Sequence, residues 1–400
     1  MKVLVLNSGS SSIKYALYQF PAQHLLLSGL LENIANAQSE HHFQVFCAEE
    51  TQQGHLTHAV PDHAAGLAAI LANLKQTQQL TTLQQLFCIG HRVVHGGEYF
   101  DQPTLINAQV IAQIRAMIPL APLHNPANLA GIEVALQLAP EVPQVAIFDT
   151  AFHQTLPAHA YHYAVPLRLY TELHLRRYGF HGTSHAYLAQ QAAQRLGKPL
   201  AEINIITLHI GNGASACAIR KGQSVDTSMG LSPLEGLMMG TRSGDLDPAV
   251  FSYLSRCKGW SILEIDHLLN YDSGLKGICG QNDMRQVMQL AAAENAPALL
   301  ARAMYCYRLK KYIGAYLAVL GDVDALVFSG GIGEHDSALR AACCENLHNF
   351  GIQLDGHKNQ QPEQSEGAIH VDHAPIALFV IPTNEELAIA EQAYALCHAL

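Results

Sequence analysis

L-V-L-N-S-G-S-S-S-I-K, Leu4 to Lys14, runs an apolar strand into a turn of glycine and serine and out into a second apolar stretch. The pattern returns twice. Ile205-Ile206-Thr207-Leu208 leads into H-I-G-N-G-A-S (His209 to Ser215), and Ala325-Leu326-Val327-Phe328 leads into S-G-G-I-G-E (Ser329 to Glu334). Glycine permits positive φ and close backbone approach, so successive N–H groups can converge on phosphate oxygens. Three such turns in one chain point to a nucleotide cradled from several sides. The first two also resemble each other beyond the turn, with second strands at Ile13–Leu17 and Ala216–Ile219. That repeat hints at two related halves, one starting near residue 1 and one after about residue 150.

Strand and helix patterns alternate between these turns, which is the α/β signature. Leu67, Ile70, Leu71 and Leu74 follow helical spacing. Asn125-Pro126 reads as an N-cap and first-turn proline ahead of Leu129, Ile132 and Leu136. Ser184 reads as the N-cap of a helix to Arg195 that stops at Gly197, and a long helix is expected over Pro297–Leu320. Thr383-Asn384-Glu385-Glu386 reads as a capping box before Leu387, Ile389 and Ala390.

At 400 residues two domains are expected, and 49% hydrophobic against 14% charged residues describes a well-buried globular protein. A net charge of −10 argues against a general nucleic-acid binder. No apolar run is long enough to span a membrane, and no signal segment is evident. The nine cysteines are scattered, with Cys343 and Cys344 adjacent and no C-x-x-C, which suits reduced thiols and a cytoplasmic address.

Neither G-x-x-x-x-G-K-[ST] nor a complete G-x-G-x-x-G occurs, so the P-loop reading falls away and a Rossmann dehydrogenase is demoted. Polar blocks fill the space between the glycine turns. They are G-H-R-V-V-H-G-G (Gly90–Gly97), P-L-H-N-P (Pro122–Pro126), F-D-T-A-F-H (Phe148–His153), R-R-Y-G-F-H-G-T-S-H (Arg176–His185) and M-M-G-T-R-S-G-D-L-D-P (Met238–Pro248). They bring Arg, His and Asp to strand ends, where α/β sheets bind ligands. Phosphoryl transfer needs that inventory, because its catalysis is mostly positioning plus cationic stabilisation.

Plainer readings cover several of these residues. His91/His95 and His181/His185 have zinc-like spacing but lack the glutamate of H-E-x-x-H. Ser184 lacks the closing glycine of a nucleophile elbow, and Cys279 reads as a small filler. Arg176 and Arg177 read as a solvated pair, and Leu234, Leu237, Met238 and Met239 as core or subunit contact. Arg92 and Arg242 resist dismissal, since apolar or small neighbours make an idle guanidinium costly.

Taken together, from Asn7 to Glu385, these blocks resemble the acetokinase family of the actin-like and sugar-kinase ATPase superfamily. The resemblance implies an α/β fold of two actin-like (ribonuclease H-like) domains with an interdomain nucleotide cleft. It implies reversible, Mg²⁺-dependent transfer from ATP to acetate, giving ADP and acetyl phosphate, with Mn²⁺ an alternative metal. Asn7 and Glu385 would belong to the metal site and Lys14 to the nucleotide phosphates. Arg92 would bind the substrate carboxylate beside Val94, Leu123, His124 and Pro233. Asp149 would be the active-site acid, with His181 and Arg242 stabilising the transition state. His209, Ile210, Gly211, Asn212 and Gly213 would line the nucleotide, with Asp283, Met284 and Arg285 and with Gly330, Gly331, Ile332, Gly333 and Glu334.

A carboxylate acceptor with a pKa of about 4.3 is already ionised near neutrality. Asp149 is therefore expected to orient an arginine or the metal's water shell rather than remove a proton. Val94 is expected to favour acetate over propionate modestly. Lys276, Cys279 and His335 stand where the family usually shows Leu, Ser and Asn. The resemblance further implies domains over 1–149 plus 386–400 and over 150–385, and a homodimer through the latter. A propionate or other short-chain acyl kinase is the alternative among enzymes, and an actin-like nucleotide switch the alternative outside them.

Overall fold

The opening stretch folds as a hairpin, Lys2–Ser8 (β1) antiparallel to Ile13–Gln19 (β2), in a computed structural model that describes residues 1–46 and 51–400. His24–Glu32 (β3), Ser39–Phe46 (β4) and Thr51–His58 (β5) extend the sheet antiparallel on one side. Beyond the helix His63–Gln76 the chain returns as Leu86–Val93 (β6), parallel to β1 on its other side. Thr104–Leu105 (β7) lies at the far edge, antiparallel to Gln144–Phe148 (β8), which is parallel to β6. The order is β5-β4-β3-β2-β1-β6-β8-β7.

Alternation along β1 divides the core between the two faces of this sheet. Leu4 and Leu6 point to one side, with Ile13, Tyr15 and Leu17, and meet Leu67, Ile70 and Leu74 of the helix His63–Gln76. Val3 and Val5 point to the other, with Cys88, Val145 and Ile147, and meet Ile389, Ala390 and Ala393. Each large aliphatic side chain buried this way contributes about 1.5–3 kcal/mol. The second cluster explains why the chain's last helix, Glu385–His398, belongs with its first strand.

Accordingly one compact unit comprises Met1–Phe152 with Asn384–Leu400, and the other His153–Thr383. The division falls a few residues from the expected positions, and Glu385, expected at the end of the second domain, lies in the first with its helix.

In the second unit Asn204–Ile210 (β9), Ala214–Arg220 (β10) and Gln223–Thr227 (β11) form an antiparallel meander. Ala325–Ser329 (β12) and Ala377–Val380 (β13) add parallel to β9, giving β11-β10-β9-β12-β13. This is the order and direction of β3-β2-β1-β6-β8, so the short turn repeat marks the same strand arrangement in both units. The helix Ala296–Leu320 packs against β10 and β9 of this sheet, with Tyr305, Leu309, Ile313 and Tyr316 among its buried residues. Among the described residues no helix is long and apolar enough to cross a membrane.

Four local expectations are corrected. The third glycine segment is not an open turn, because Gly330–His335 is a short helix directly after β12. Asn384 caps the last helix by accepting from Leu387 N–H at 3.0 Å, but the third helical position is Leu387, so no capping box forms. Asn125 and Ser184 do not cap their helices; both are buried, and each serves another loop. Arg176 and Arg177 are not a solvated pair. Arg176 is 4% exposed with its guanidinium 3.8 Å from the centre of the Tyr161 ring, and Arg177 pairs with Glu235 and donates to three backbone carbonyls.

Candidate active site

In the first unit the polar residues gather where β1, β6 and β8 end. All three strands run parallel, so Asn7, Arg92 and Asp149 emerge at the same edge of the sheet. Arg92 Nη2 donates to Asp149 Oδ2 in a tight ion pair, and Nη1 donates to Asn7 Oδ1 at 3.3 Å. Burial works against the Arg92 charge, but the Asp149, Glu385 and Glu386 carboxylates outweigh it and raise its pKa. Asp149 thus holds Arg92 charged and in place, one of the orienting roles its chemistry allows.

Glu385 opens the last helix, and its Oε1 is buried without a hydrogen-bond partner. Burial, against the attraction of Arg92, pushes its pKa up to about 7. A buried carboxylate oxygen with no hydrogen-bond partner on Glu385, which feels the Arg92 charge, and the Asn7 amide oxygen that Arg92 contacts are oxygen donors of the kind that fits a hard divalent cation. Lys14 Nζ lies 2.6 Å from Glu386 Oε1 and is half-exposed, so it sits at the N-terminus of the same helix.

The segment after Arg92 is fastened from three sides. Val94 N–H donates to Asn128 Oδ1 at 3.0 Å, and Asn128 Nδ2 donates to Ser8 O at 2.7 Å. Asn125 accepts from His95 N–H at 3.1 Å and donates back to His95 O at 3.0 Å, while Gly96 N–H donates to Thr150 Oγ1 at 3.0 Å. Val94 is buried within this clamp, His124 is partly buried, and Leu123 is 50% exposed. Asn125 reads in sequence as a helix cap, and the clamp partners of Asn125 and Asn128 lie 30 or more residues away, so the clamp was not legible in sequence.

In the second unit His181 sits in the left-handed region, φ +57°, at the start of the helix Gly182–Leu196. Its Nδ1 lies 2.8 Å from Ser215 Oγ, and its ring stacks on His209 with centroids 4.3 Å apart. Ser215 Oγ also meets His185 Nε2 at 2.8 Å, and His185 Nδ1 meets Thr207 Oγ1 at 2.8 Å. Burial, then the neighbouring His153 and His209, push the His185 pKa well below its usual value, so this ring is neutral. Ser184 holds His209, with Oγ 2.8 Å from Nδ1, and meets Thr383 Oγ1 at 2.7 Å.

Arg242 donates to Pro233 O at 3.3 Å and has no carboxylate partner among the described residues. Burial lowers its pKa, the reverse of Arg92. A side chain at Gly213 would place its Cβ 3.7 Å from both Arg242 Nη1 and His181 Nε2. The backbone between β9 and β10 therefore runs past an imidazole and a guanidinium, and glycine leaves that space open.

Next to it lies a cavity of about 730 Å³ lined by Gly211, Asn212, Asn282, Asp283, Met284, Arg285, Met288, Gly331, Ile332, His335 and Asp336. Asp283 caps the helix Met284–Ala292 by accepting from Arg285 N–H at 2.9 Å, and Arg285 Nη2 donates to its carboxylate at 2.7 Å. Gly330, φ +75°, is fixed by sterics, since a Cβ there would meet the Ile210 backbone at 2.8 Å. Of the expected nucleotide residues, Gly211, Asn212, Asp283–Arg285, Gly331 and Ile332 line the cavity. Ile210, Gly330 and Gly333 pack behind it, His209 and Gly213 sit with His181, and Glu334 lines a neighbouring cavity of about 680 Å³. Asn282, Met288 and Asp336 were missed. His335 had stood out only as a departure from the family pattern, and it proves to be a lining residue.

The model of the acetokinase family matches residues 2–391. An acetate kinase of Sulfurovum sp. (strain NBC37-1) is 51% identical, over 98% of both chains. Among solved structures, Porphyromonas gingivalis acetate kinase is 41% identical with a TM-score of 0.92, covering 99% of each chain. A propionate kinase from Francisella tularensis is 44% identical with a TM-score of 0.91, covering 98% of this chain and 99% of that one.

Proposed function

The chain belongs to the acetokinase family, and from that premise we propose how its residues divide the work of a reversible acetate kinase, converting ATP and acetate to ADP and acetyl phosphate. The reaction is a direct in-line transfer in which an acetate oxygen attacks the γ-phosphorus and the bond to the ADP oxygen breaks. Acetate arrives ionised, so no proton has to leave it.

In the first unit Arg92 binds the acceptor carboxylate, Val94 bounds the methyl group, and Leu123 and His124 flank them. Asp149 orients Arg92. Asn7 and Glu385 would hold Mg²⁺, which supplies charge neutralisation to the phosphate oxygens when bound. The oxygen-only donor set and the unpartnered Glu385 Oε1 support that ion over a softer metal. In the second unit the lined cavity holds the nucleoside, while His181 and Arg242 stabilise the charge on the moving phosphoryl group.

One observation carries this reading. The two partly buried arginines differ in their partners, for Arg92 is ion-paired to Asp149, whereas Arg242 has no carboxylate partner among the described residues and stands beside His181 at Gly213. A guanidinium kept without a counter-ion suits a charge that exists only with substrate bound. Exposed Ile262 and Leu263 on the second unit support a homodimer, and the reduced thiols support a cytoplasmic setting.

Trapping of acyl phosphate with hydroxylamine, run with acetate, propionate and butyrate, tests the assignment. The expected result is MgATP-dependent trapping with kcat/KM highest for acetate. No trapping with any acid would defeat it, and a maximum on propionate would favour the activity named for the Francisella relative.

A further inference from the structure

The far edge of the first sheet carries a group of side chains that phosphoryl transfer does not use. β5 is an edge strand with no buried residue, exposed along most of its length. Its pairing with β4 sets His42 directly opposite His55 and Glu40 opposite Thr57. Side chains alternate across a strand, so Glu40, His42, His55 and Thr57 all stand on one face of the hairpin.

The two imidazoles stack with centroids 4.3 Å apart and planes 9° from parallel. Glu40 Oε2 contacts His55 Nε2 and accepts from Thr57 Oγ1 at 3.1 Å. One ligand atom each from Glu40, His42 and His55 lie within 4.8 Å of one another. Glu40 is half-buried and the two histidines are exposed, so an ion could reach all three from solvent.

We propose that Glu40, His42 and His55 form a binding site for a divalent transition-metal ion, Zn²⁺ by the character of its ligands, which staples the edge strand β5 to β4. Two imidazole nitrogens and one carboxylate oxygen are a donor set for Zn²⁺, Co²⁺, Ni²⁺ or Cu²⁺ and a poor one for Mg²⁺. The ion takes the place of the direct Glu40–His55 contact, and a small turn of each exposed ring about its side-chain bonds aims both imidazoles at it. Thr57 stays on the Glu40 carboxylate as an outer hydrogen-bond donor, which orients that ligand. Water completes the coordination. The site is separate in chemistry from the Asn7 and Glu385 pair, which offers oxygen only.

A staple has a physical use at this position. A strand that buries no side chain gains little from the hydrophobic effect and depends on its ladder and cross-strand pairs. Joining β4 to β5 through a metal makes opening of the hairpin contingent on losing the ion.

The test is Zn²⁺ titration by calorimetry on the full chain with Mg²⁺ in excess, alongside Co²⁺ titration read by visible absorption. It is run on the unaltered protein, on His42→Ala and His55→Ala, and on the double variant. The expected result is one Zn²⁺ per chain, at least about tenfold weaker in each single variant and lost in the double. The Co²⁺ spectrum should show ligand-field bands without thiolate charge transfer, and Zn²⁺ should slow hydrogen exchange in residues 51–58 of the unaltered protein. MgATP-dependent turnover should be the same in all four proteins, which also shows that the variants fold. Zn²⁺ affinity that is the same in the double variant overturns the proposal, because the ion is then held among the other histidines and cysteines. Absence of Zn²⁺ binding overturns it equally.

Discussion

Replacing Ser215 with alanine probes the second unit's half-site without touching a group proposed to meet the substrate. Ser215 Oγ stands between His181 Nδ1 and His185 Nε2, each at 2.8 Å. His185 is neutral, so one of its nitrogens carries hydrogen and the other does not. Two proton arrangements satisfy the chain from Thr207 to His181. In one, His185 donates to Ser215, which donates to His181 Nδ1 and leaves the His181 proton on Nε2. In the other the direction reverses, and Nε2 carries a proton only when His181 is cationic. Both commit Nδ1 to Ser215 and point the Nε2 edge toward Gly213.

Removing a donor aimed directly at developing charge costs about 2.7–4 kcal/mol. Ser215 acts at one remove, so Ser215→Ala should lower kcat about 10- to 100-fold, or about 1.4–2.7 kcal/mol, with KM for ATP and acetate little changed. Leaving His185 Nε2 unpaired should also cost about 1–3 kcal/mol of stability. The decisive assay is a double-mutant cycle with His181→Gln. Once His181 is gone, Ser215→Ala should have almost no further effect on kcat. Independent, multiplicative losses would refute the relay, as would a Ser215→Ala enzyme whose kcat and pH profile match those of the unaltered protein.

Arg242→Ala should reduce kcat by about 10³–10⁵, the range for a guanidinium on a transferring phosphoryl group, whereas Arg92→Ala should chiefly raise the acetate KM; steady-state kinetics with the two patterns exchanged would reverse the assignments. Asp149→Asn should weaken acetate binding by loosening Arg92, and a pH–rate profile that loses an essential base in that variant would restore a proton-transfer role. Val94→Ala should raise kcat/KM for propionate relative to acetate by about 10-fold, within the 1–3 kcal/mol that one methylene commands, and an unchanged ratio would remove Val94 from the pocket. His41, buried beside Tyr15, has its pKa lowered to about 4 by burial and then by His58 and His42. Between about 6.5 and 4 the unfolded chain takes up a proton that the folded chain does not. Stability should therefore fall by about 1.4 kcal/mol per pH unit from this group as pH drops through that window. Urea unfolding of His41→Gln between about pH 7 and 5 should show a correspondingly shallower slope.

How much was legible in sequence depended on whether a residue's role is local. Glycine turns and apolar periodicity are local, and they placed both hairpins, the helices His63–Gln76 and Ala296–Leu320, and the αL stop at Gly197. Arg92 and Arg242 stood out because a charge among apolar neighbours is costly wherever the chain takes it. Asn125 and Ser184 could not be read correctly, since their partners His95, His209 and Thr383 lie 30, 25 and 199 residues away and their local pattern matches a helix cap. Arg176 was misread for the same reason, because its aromatic partner Tyr161 is remote in sequence. The Thr383–Glu386 segment failed by register alone, with the cap one residue later than the pattern placed it.

The same contrast between local and remote partners explains how one chain can keep two partly buried guanidiniums in opposite electrostatic settings. Arg92 lies on β6 between β1 and β8, so the sheet itself delivers Asn7 and Asp149 to its two sides. Its charge is balanced before any substrate arrives, and under the proposed assignment an incoming carboxylate would share it with Asp149. That favours reversible, modest binding of a small acid. Arg242 follows the buried run Leu237–Met239 and rests on the carbonyl of Pro233, a dipole without a full charge. Burial there lowers its pKa, because no carboxylate balances the charge that the guanidinium keeps. The free energy released when that anion arrives is correspondingly larger, and it grows with the negative charge placed beside the guanidinium. Arg242→Lys separates charge from geometry. It retains a cation but not the planar fork, so it should recover only a small part of the rate lost in Arg242→Ala. Full recovery by lysine would mean that charge alone suffices and that the backbone hold on the guanidinium plays no part in the transfer.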